Sequence, residues 1–331
     1  MSNPVLVFVE KKFGPDFVPR LRRNARGLAE DFWKDPPCDY PLIDLKIGKR
    51  SFTIKNWLKP VLKQSGAAVA AAPKAAKTDA PRWHALPGEV AEKMWGEGYI
   101  LPAGEALTEA LTKPLALTNK TDLLDLTAGL GGASRKLAAQ VNSIKAIEPD
   151  PATAVRGNDL AAKAGKARAP AVTAYDLADF SPPGSYDCVI ARELFYRLTD
   201  KPKFFAAIAA CLKPHGQLAF TDYIVNPEDR TRPSIVSWRA QEKSAAPLGL
   251  IDMAELWAKA GITIRVSEDQ TDFYRREILA GLNRLVGALA KGPRPDAETK
   301  KAILREVESW IHRIGAIEQG MRFYRFQAIR L

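Results

Sequence analysis

LLDLTAGLGGASRKLA, residues 123–138, is the stretch of this chain that decides its fold. It begins with a short apolar run typical of a buried strand and ends in a pattern that predicts a helix over 133–140. Three glycines lie between them: Gly129, Gly131 and Gly132. Because glycine has no Cβ, the backbone there can approach a ligand closely, and the helix that follows directs its first N–H groups at that ligand. The stretch therefore predicts a ligand-binding loop at the end of a buried strand.

The residues that follow alternate between strand patterns and helical patterns. Strands are predicted over 143–149, 169–176, 186–192 and 216–224, and helices over 151–165 and 203–213. Alternation of this kind is typical of a parallel sheet with helices on both faces. Since crossovers between parallel strands are right-handed, we expect an α/β, Rossmann-like, doubly wound fold.

Acidic residues end three successive strands of this predicted sheet: Asp125, Glu148 and Asp176. The loop reads TxGxGG rather than the GxGxxG typical of nicotinamide dinucleotide sites. Asp125 would disfavour a pyrophosphate but suits a ligand with a cationic amino group, which favours S-adenosylmethionine. Glu148 is placed to accept hydrogen bonds from ribose hydroxyls, and Asp176 from an adenine amino group. Any one of these acids alone could equally be a helix cap or a turn residue.

The composition narrows the class of protein. No apolar run reaches eighteen residues, so we expect no transmembrane helix, and the five-residue apolar stretch at 5–9 is too short for a signal peptide. The three cysteines and three histidines lack the spacing of metal ligands or of a redox pair. We expect no metal site and a cytoplasmic protein with reduced thiols.

The positive charge is concentrated at the start of the chain. The net charge is +11, and residues 1–65 hold thirteen Lys and Arg against seven Asp and Glu. Such a segment attracts phosphate-bearing partners, nucleic acid among them, or is simply a solvated surface. The Ala- and Pro-rich stretch 65–82 predicts a linker. We expect a small basic α+β domain over 1–64, for docking, oligomerisation or capping of a substrate, and the main domain over 83–331.

Several of these segments resemble the class I methyltransferase family. LLDLTAGLGGASRKLA is similar to its first motif, AIEPD at 146–150 to its acidic second-strand motif, and AACLKPHGQLAFTDY at 209–223 to its fifth-strand region. Within that family, MWGEGYILPAGEAL at 94–107 and VIARELFYRLTDKPKFF at 189–205 resemble the phosphoethanolamine and sarcosine-type N-methyltransferases. YRFQAIRL at 324–331 resembles their final antiparallel strand.

The resemblance implies a set of cofactor-binding residues, and the sequence departs from the family's pattern at three positions. Contact with S-adenosylmethionine is implied for Tyr99, Asp125, Thr127, Gly129, Gly131, Glu148, Pro149, Asp176, Leu177 and Arg192. Thr127 stands where the family usually has a glycine, so we expect it to have a negative φ. Arg197 stands where the phosphoethanolamine enzymes have a catalytic histidine, and Ala91 where they have a tyrosine. An arginine cannot act as a base at neutral pH, although it can hold an anionic group.

Three hypotheses of function follow. The first is an enzyme that methylates a small molecule at nitrogen, oxygen or carbon. Its candidate catalytic residues are Tyr196, Tyr223 and Asp222, the last expected just past the fifth strand. The second is a methyltransferase of RNA or protein, docked through the basic N-terminal segment. The third is a non-catalytic, cofactor-binding regulatory protein, which loss of the histidine and the tyrosine would suit.

Overall fold

The computed structural model describes residues 44–47, 50–53, 86, 88–164, 169–182, 184–242, 245–291 and 295–331. The chain divides into two compact units, residues 1–82 with 286–294 and residues 83–285 with 295–331. In the N-terminal part, β1 (Asp44–Ile47) pairs with β2 (Arg50–Thr53) as an antiparallel hairpin. The rest of the α+β domain predicted over 1–64 and the linker at 65–82 lie outside the described residues.

The larger unit is built on a seven-stranded sheet with the order β5-β4-β3-β6-β7-β9-β8. Its strands are β3 (Asp122–Asp125), β4 (Ser143–Glu148), β5 (Val172–Ala174), β6 (Tyr186–Arg192), β7 (Leu212–Ile224), β8 (Ile262–Asp269) and β9 (Arg322–Arg330). Neighbours from β5 to β7 are parallel, and β9 runs antiparallel to both β7 and β8. The predicted Rossmann-like fold with an antiparallel last strand is confirmed.

Helices connect these strands and cover both faces of the sheet. They are α1 (Glu89–Trp95), α2 (Gly104–Thr112), α3 (Gly132–Leu137), α4 (Pro151–Ala164), α5 (Lys201–Cys211), α6 (Pro233–Gln241), α7 (Leu250–Lys259), α8 (Thr271–Lys291) and α9 (Ala297–Glu318). Successive strand residues alternate between two cores, as a period of two requires. Leu124 and Val189 join one core with Trp257 of α7, whereas Leu123 and Ile190 join the other with residues of α2 and α3.

Two strands differ from the predicted bounds. The helix predicted over 203–213 ends at Cys211, and β7 begins at Leu212 rather than at 216. Pro214 has no N–H to continue a helix, and the register with β6 shifts in this region. At the other edge β5 covers only Val172–Ala174, because it buries a single side chain, that of Val172. Asp176 therefore lies two residues beyond the strand that it was expected to end.

Candidate functional site

The loop after β3 is held by the acid that precedes it. Asp125 ends β3 and is fully buried. Its Oδ1 accepts a hydrogen bond from the Thr127 N–H at 3.1 Å, and its Oδ2 accepts one from the Ser134 hydroxyl at 2.7 Å. The carboxylate thereby joins the loop to the first turn of α3. Thr127 is not among the described non-glycine residues with positive φ, which agrees with the expectation for its backbone.

Gly129 and Gly131 adopt backbone conformations that other residues rarely reach. Their φ values are +56° and +80°. A Cβ on Gly129 would lie 3.1 Å from Cγ1 of Ile100, so the loop passes closely beneath the segment that precedes α2. The Gly129 N–H donates to Oε2 of Glu148 at 2.8 Å. The glycine turn is thus connected both to the residues above it and to the neighbouring strand.

Glu148 ends β4, the strand beside β3, so two of the predicted acids meet at one edge of the sheet. Its second oxygen, Oε1, accepts from the Asp150 N–H at 3.1 Å. Burial raises the pKa of this carboxyl. The half-buried Pro149 follows it directly.

The third predicted acid differs from the other two in its exposure. Asp176 is exposed, and its Oδ1 caps a turn by accepting from the Ala178 N–H at 2.9 Å. Leu177, next to it, is partly buried and packs against the larger core.

Residues 96–101 form a capping segment that lies over the glycine turn. The Gly98 carbonyl accepts from the Gly132 N–H at 3.0 Å, and the Gly98 N–H donates to Oε1 of Glu92 at 2.8 Å. Glu92 forms an ion pair with Arg156 of α4 at 2.6 Å. Tyr99 belongs to this segment, is half-buried, and has a pKa raised by burial. The structure therefore places Tyr99 beside the loop, and its contact with a cofactor stays a prediction.

A buried cation completes this end of the sheet. Arg192 ends β6, donates from Nη2 to the Thr127 carbonyl at 3.0 Å, and donates from Nη1 to the Thr108 hydroxyl at 3.3 Å. Its Nε is buried without a hydrogen-bond partner. Among the described residues no carboxylate lies within ion-pair distance of it. An unpaired buried guanidinium is suited to a ligand that carries a carboxylate.

The candidate catalytic tyrosines meet in a second, fully buried group, which we call the tyrosine cluster: Glu193, Tyr196, Tyr223, Trp238 and Tyr274. The hydroxyls of Tyr223 and Tyr274 both donate to Glu193, the former at 2.9 Å to Oε2. The rings of Tyr196 and Tyr223 lie 5.2 Å apart, and each is 5.5 Å from the ring of Trp238. Burial raises the pKa of Glu193 and of both tyrosines. The tyrosines are therefore neutral donors at physiological pH.

Two arginines converge on the Tyr196 hydroxyl. Arg197 donates to it from Nε at 3.0 Å and Arg313 from Nη2 at 3.4 Å, while the hydroxyl itself donates to Oε2 of Glu242 at 3.2 Å. Arg313 is also ion-paired with Glu242 at 2.7 Å. Arg197 has no carboxylate within ion-pair distance in the described part of the chain.

Asp222 occupies a different place from the one expected. It lies inside β7, opposite Tyr324 of β9, rather than past the end of the strand, and the predicted bounds of 216–224 already include it. Its Oδ1 accepts from the Tyr223 N–H at 2.9 Å, whereas Oδ2 is buried without a partner. Complete burial raises the pKa of Asp222 to about 8, against the opposing effect of the Lys201 charge.

Sequence reasoning missed several members of this region. Glu242, Tyr274 and Arg313 come from segments after β7, and no motif spacing connects them to the strand ends. One signal was present: Arg313 falls among the apolar residues of α9, between Ile311 and Ile314. A cation on the buried face of a helix requires a partner.

Two grooves lie elsewhere on the described surface. One is lined by Thr118, Lys120 and His215 near the amino ends of the strands. The other runs between α2 and α3, along Glu109 and Lys136. Ligands of open α/β sheets bind at the carboxyl ends of the strands. We therefore place the candidate site at the glycine loop and the tyrosine cluster rather than in these grooves.

Comparison with known proteins gives matches over the same part of the chain. A family model described as a methyltransferase domain matches residues 99–265. Phosphoethanolamine N-methyltransferase 1 of Arabidopsis thaliana is 22% identical over 198 residues, which cover 59% of this chain and 39% of that protein. The Plasmodium falciparum (isolate 3D7) phosphoethanolamine N-methyltransferase is 23% identical, over 57% of this chain and 71% of the relative. The chain thus matches well under half the length of the Arabidopsis protein.

Solved structures show the same fold. Haemonchus contortus phosphoethanolamine N-methyltransferase 2, in complex with S-adenosyl-L-methionine, superposes with a TM-score of 0.62 at 22% identity. The alignment covers 73% of this chain and 56% of that one. A putative sarcosine dimethylglycine methyltransferase from Galdieria sulphuraria gives a TM-score of 0.58 at 24% identity, over 69% of this chain and 86% of the other.

Proposed function

Because the chain belongs to the methyltransferase family, we propose that it transfers a methyl group from S-adenosylmethionine to a small-molecule acceptor. Membership of the family confirms the methyltransferase domain predicted from the motifs. The observation that carries the proposal is the glycine turn at Gly129. It has a positive φ and passes closely beneath Ile100, it is bonded to Glu148, and the unpaired cation of Arg192 lies beside the same loop.

The residues at this end of the sheet fit the proposed cofactor. Each oxygen of Glu148 accepts one backbone N–H, which leaves a lone pair on each for ribose hydroxyls. Arg192 would hold the cofactor's carboxylate, and Asp125 would favour its amino group. The full proposed set is Tyr99, Asp125, Thr127, Gly129, Gly131, Glu148, Pro149, Asp176, Leu177 and Arg192.

Methyl transfer mainly requires that the acceptor and the cofactor are correctly positioned. S-adenosylmethionine supplies a methyl carbon on a sulfonium: an electron pair of the acceptor forms the new bond, the bond to sulfur breaks, and S-adenosylhomocysteine leaves. The protein's part is to align the acceptor and exclude water. If the acceptor atom carries a proton, that proton must leave. We propose Asp222 as the group that takes it, since a pKa of about 8 is close to that expected of an effective base near neutral pH. Tyr196 and Tyr223, whose hydroxyls already donate to Glu242 and Glu193, would shape the acceptor site through their rings.

We also propose the wider setting of this domain. Residues 83–331 would form the methyltransferase domain, with 1–64 as a separate small domain joined by the linker 65–82. No helix in the described residues is long and apolar enough to cross a membrane. We propose a cytoplasmic location, which is supported by the free, buried thiols of Cys188 and Cys211.

Two measurements test the proposal. Calorimetric titration with S-adenosylmethionine should give saturable binding to the full chain; no heat together with no thermal shift would contradict it. Incubation with methyl-labelled cofactor and a cell extract, divided into metabolite, lipid, RNA and protein fractions, should place the label among the metabolites. Label in RNA or protein would favour the macromolecular hypothesis instead, and binding without label in any fraction would favour a non-catalytic role.

A further inference from the structure

We propose that Arg197 binds an anionic group of the methyl acceptor, a carboxylate or a phosphate, and so determines which acceptors are used. This inference rests on the proposed function and names the substrate class of the same site. Arg197 belongs to a 3-10 turn, Phe195–Arg197, that follows β6 beyond its carboxyl end. Its side chain is therefore presented at the edge of the sheet where ligands of this fold bind.

Arg197 differs from Arg275 and Arg313 in its pairing. Arg275 and Arg313 are buried, and each has a carboxylate partner, Glu318 and Glu242 respectively. Arg197 is only partly buried and donates from Nε to the Tyr196 hydroxyl. Among the described residues it has no ion pair, and no hydrogen bond from its Nη atoms is seen. Both terminal N–H groups are therefore available to a ligand.

The charge of Arg197 acts on both halves of the site. Its charge lowers the pKa of Glu148, the proposed ribose acid, and also the pKa of Glu193 in the tyrosine cluster. An anionic group held by Arg197 would place the rest of the acceptor between the cofactor loop and that cluster. Nε is already fixed by Tyr196, so Nη1 and Nη2 form the fork that matches a carboxylate or phosphate.

The charges around the Tyr196 hydroxyl also favour an anion. Two guanidiniums converge there, and a single carboxylate, Glu242, lies within ion-pair distance of one of them. Glu193 is the other buried carboxyl near these charges: burial raises its pKa, whereas the hydrogen bonds from two tyrosines lower it. A partly buried cation without a carboxylate partner is stabilised when a ligand supplies the missing charge.

The test uses the full chain, cofactor with a deuterated methyl group, and a metabolite extract, with products identified by mass spectrometry. We expect the labelled product to carry a carboxylate or a phosphate. Loss of the acidic group on phosphatase treatment would identify it as a phosphate. A labelled product with neither group would overturn this inference while leaving methyl transfer intact. Binding of the cofactor without any labelled product would overturn the proposed transfer, and this inference with it.

Variants then assign the effect to Arg197. With the identified acceptor, Arg197→Gln should lower kcat/KM at least 100-fold, mostly through KM, and Arg197→Lys should recover part of the loss. The Kd for S-adenosylmethionine should stay within about threefold, which shows that the domain is folded. Arg330→Gln is the matched control, since Arg330 is also half-buried but ends β9 at the opposite edge of the sheet, and it should behave as wild type. Unchanged kcat/KM in Arg197→Gln would overturn the assignment.

Discussion

Substitution of Gly129 tests the cofactor loop most directly. Holding a residue other than glycine at φ +56° costs about 1–2 kcal/mol of conformational free energy, since L residues disfavour the left-handed region. The new Cβ would also lie 3.1 Å from Cγ1 and 3.2 Å from Cδ1 of Ile100, so the capping segment must shift. We expect Gly129→Ala to weaken binding of S-adenosylmethionine at least tenfold, which is about 1.4 kcal/mol. Gly129→Val adds two methyl groups in the same space and should abolish measurable binding.

Gly261 supplies a matched control for the backbone strain. Its φ is +81°, and a Cβ there would meet no heavy atom within 4 Å. It lies between α7 and β8, away from the loop. Ala and Val at Gly261 should therefore lower the stability by about 1–2 kcal/mol and leave the Kd unchanged. Both quantities are measured by urea denaturation and isothermal titration calorimetry. A wild-type Kd in Gly129→Val, or equal losses of affinity at both glycines, would refute the reasoning.

Three further substitutions test the acids and tyrosines of the site. Asp222 has a folded-state pKa raised to about 8, so its contribution to stability is full below about pH 4 and is lost as the pH rises toward 8. Asp222→Asn stays neutral at every pH, so its free energy of unfolding, measured by urea denaturation from pH 5 to 7.5, should lack this pH-dependent fall. Parallel pH profiles of stability for the variant and the wild type would argue against the raised pKa of Asp222. Glu148→Gln should raise the calorimetric Kd for S-adenosylmethionine at least tenfold, because the charged acceptor for the ribose hydroxyls is lost; an unchanged Kd would exclude Glu148 from the site. Tyr223→Phe removes a donor from the buried Glu193 and should lower the free energy of unfolding by about 1–3 kcal/mol. The Tyr324 hydroxyl has no hydrogen bond within the described residues, so Tyr324→Phe should change the free energy of unfolding little. Equal losses of stability in the two variants would count against the Glu193 contact.

The parts of the fold that sequence could predict are those with a local signal. The glycine turn, the strand at 186–192 and the acids at the ends of β3 and β4 all follow from residues close together in the chain. The start of β7 could not be predicted in this way. Leu212 and Lys213 continue a helical pattern, and the pairing of Leu212 with Tyr186 of β6 overrides it.

The cofactor end of the site was more predictable than the acceptor end for the same reason. Glu148 and Arg192 end strands, and parallel strands bring their carboxyl ends together whatever else the fold contains. Glu242, Tyr274 and Arg313 reach the tyrosine cluster from three separate helical segments. Which side chains of these segments face the tyrosine cluster depends on how the helices pack, and no residue spacing in the sequence predicts that packing.

The place of β9 has a consequence for how the protein is made. β9 lies between β7 and β8, and in the described sheet it is the partner through which β8 is attached. At about 5–20 residues per second, several seconds of synthesis separate β8 from β9. During that interval β8 is a strand with unpaired N–H and C=O groups on both sides, a recognised template for pairing with other chains. Aggregation of the nascent chain should therefore depend on how quickly residues 322–330 leave the ribosome.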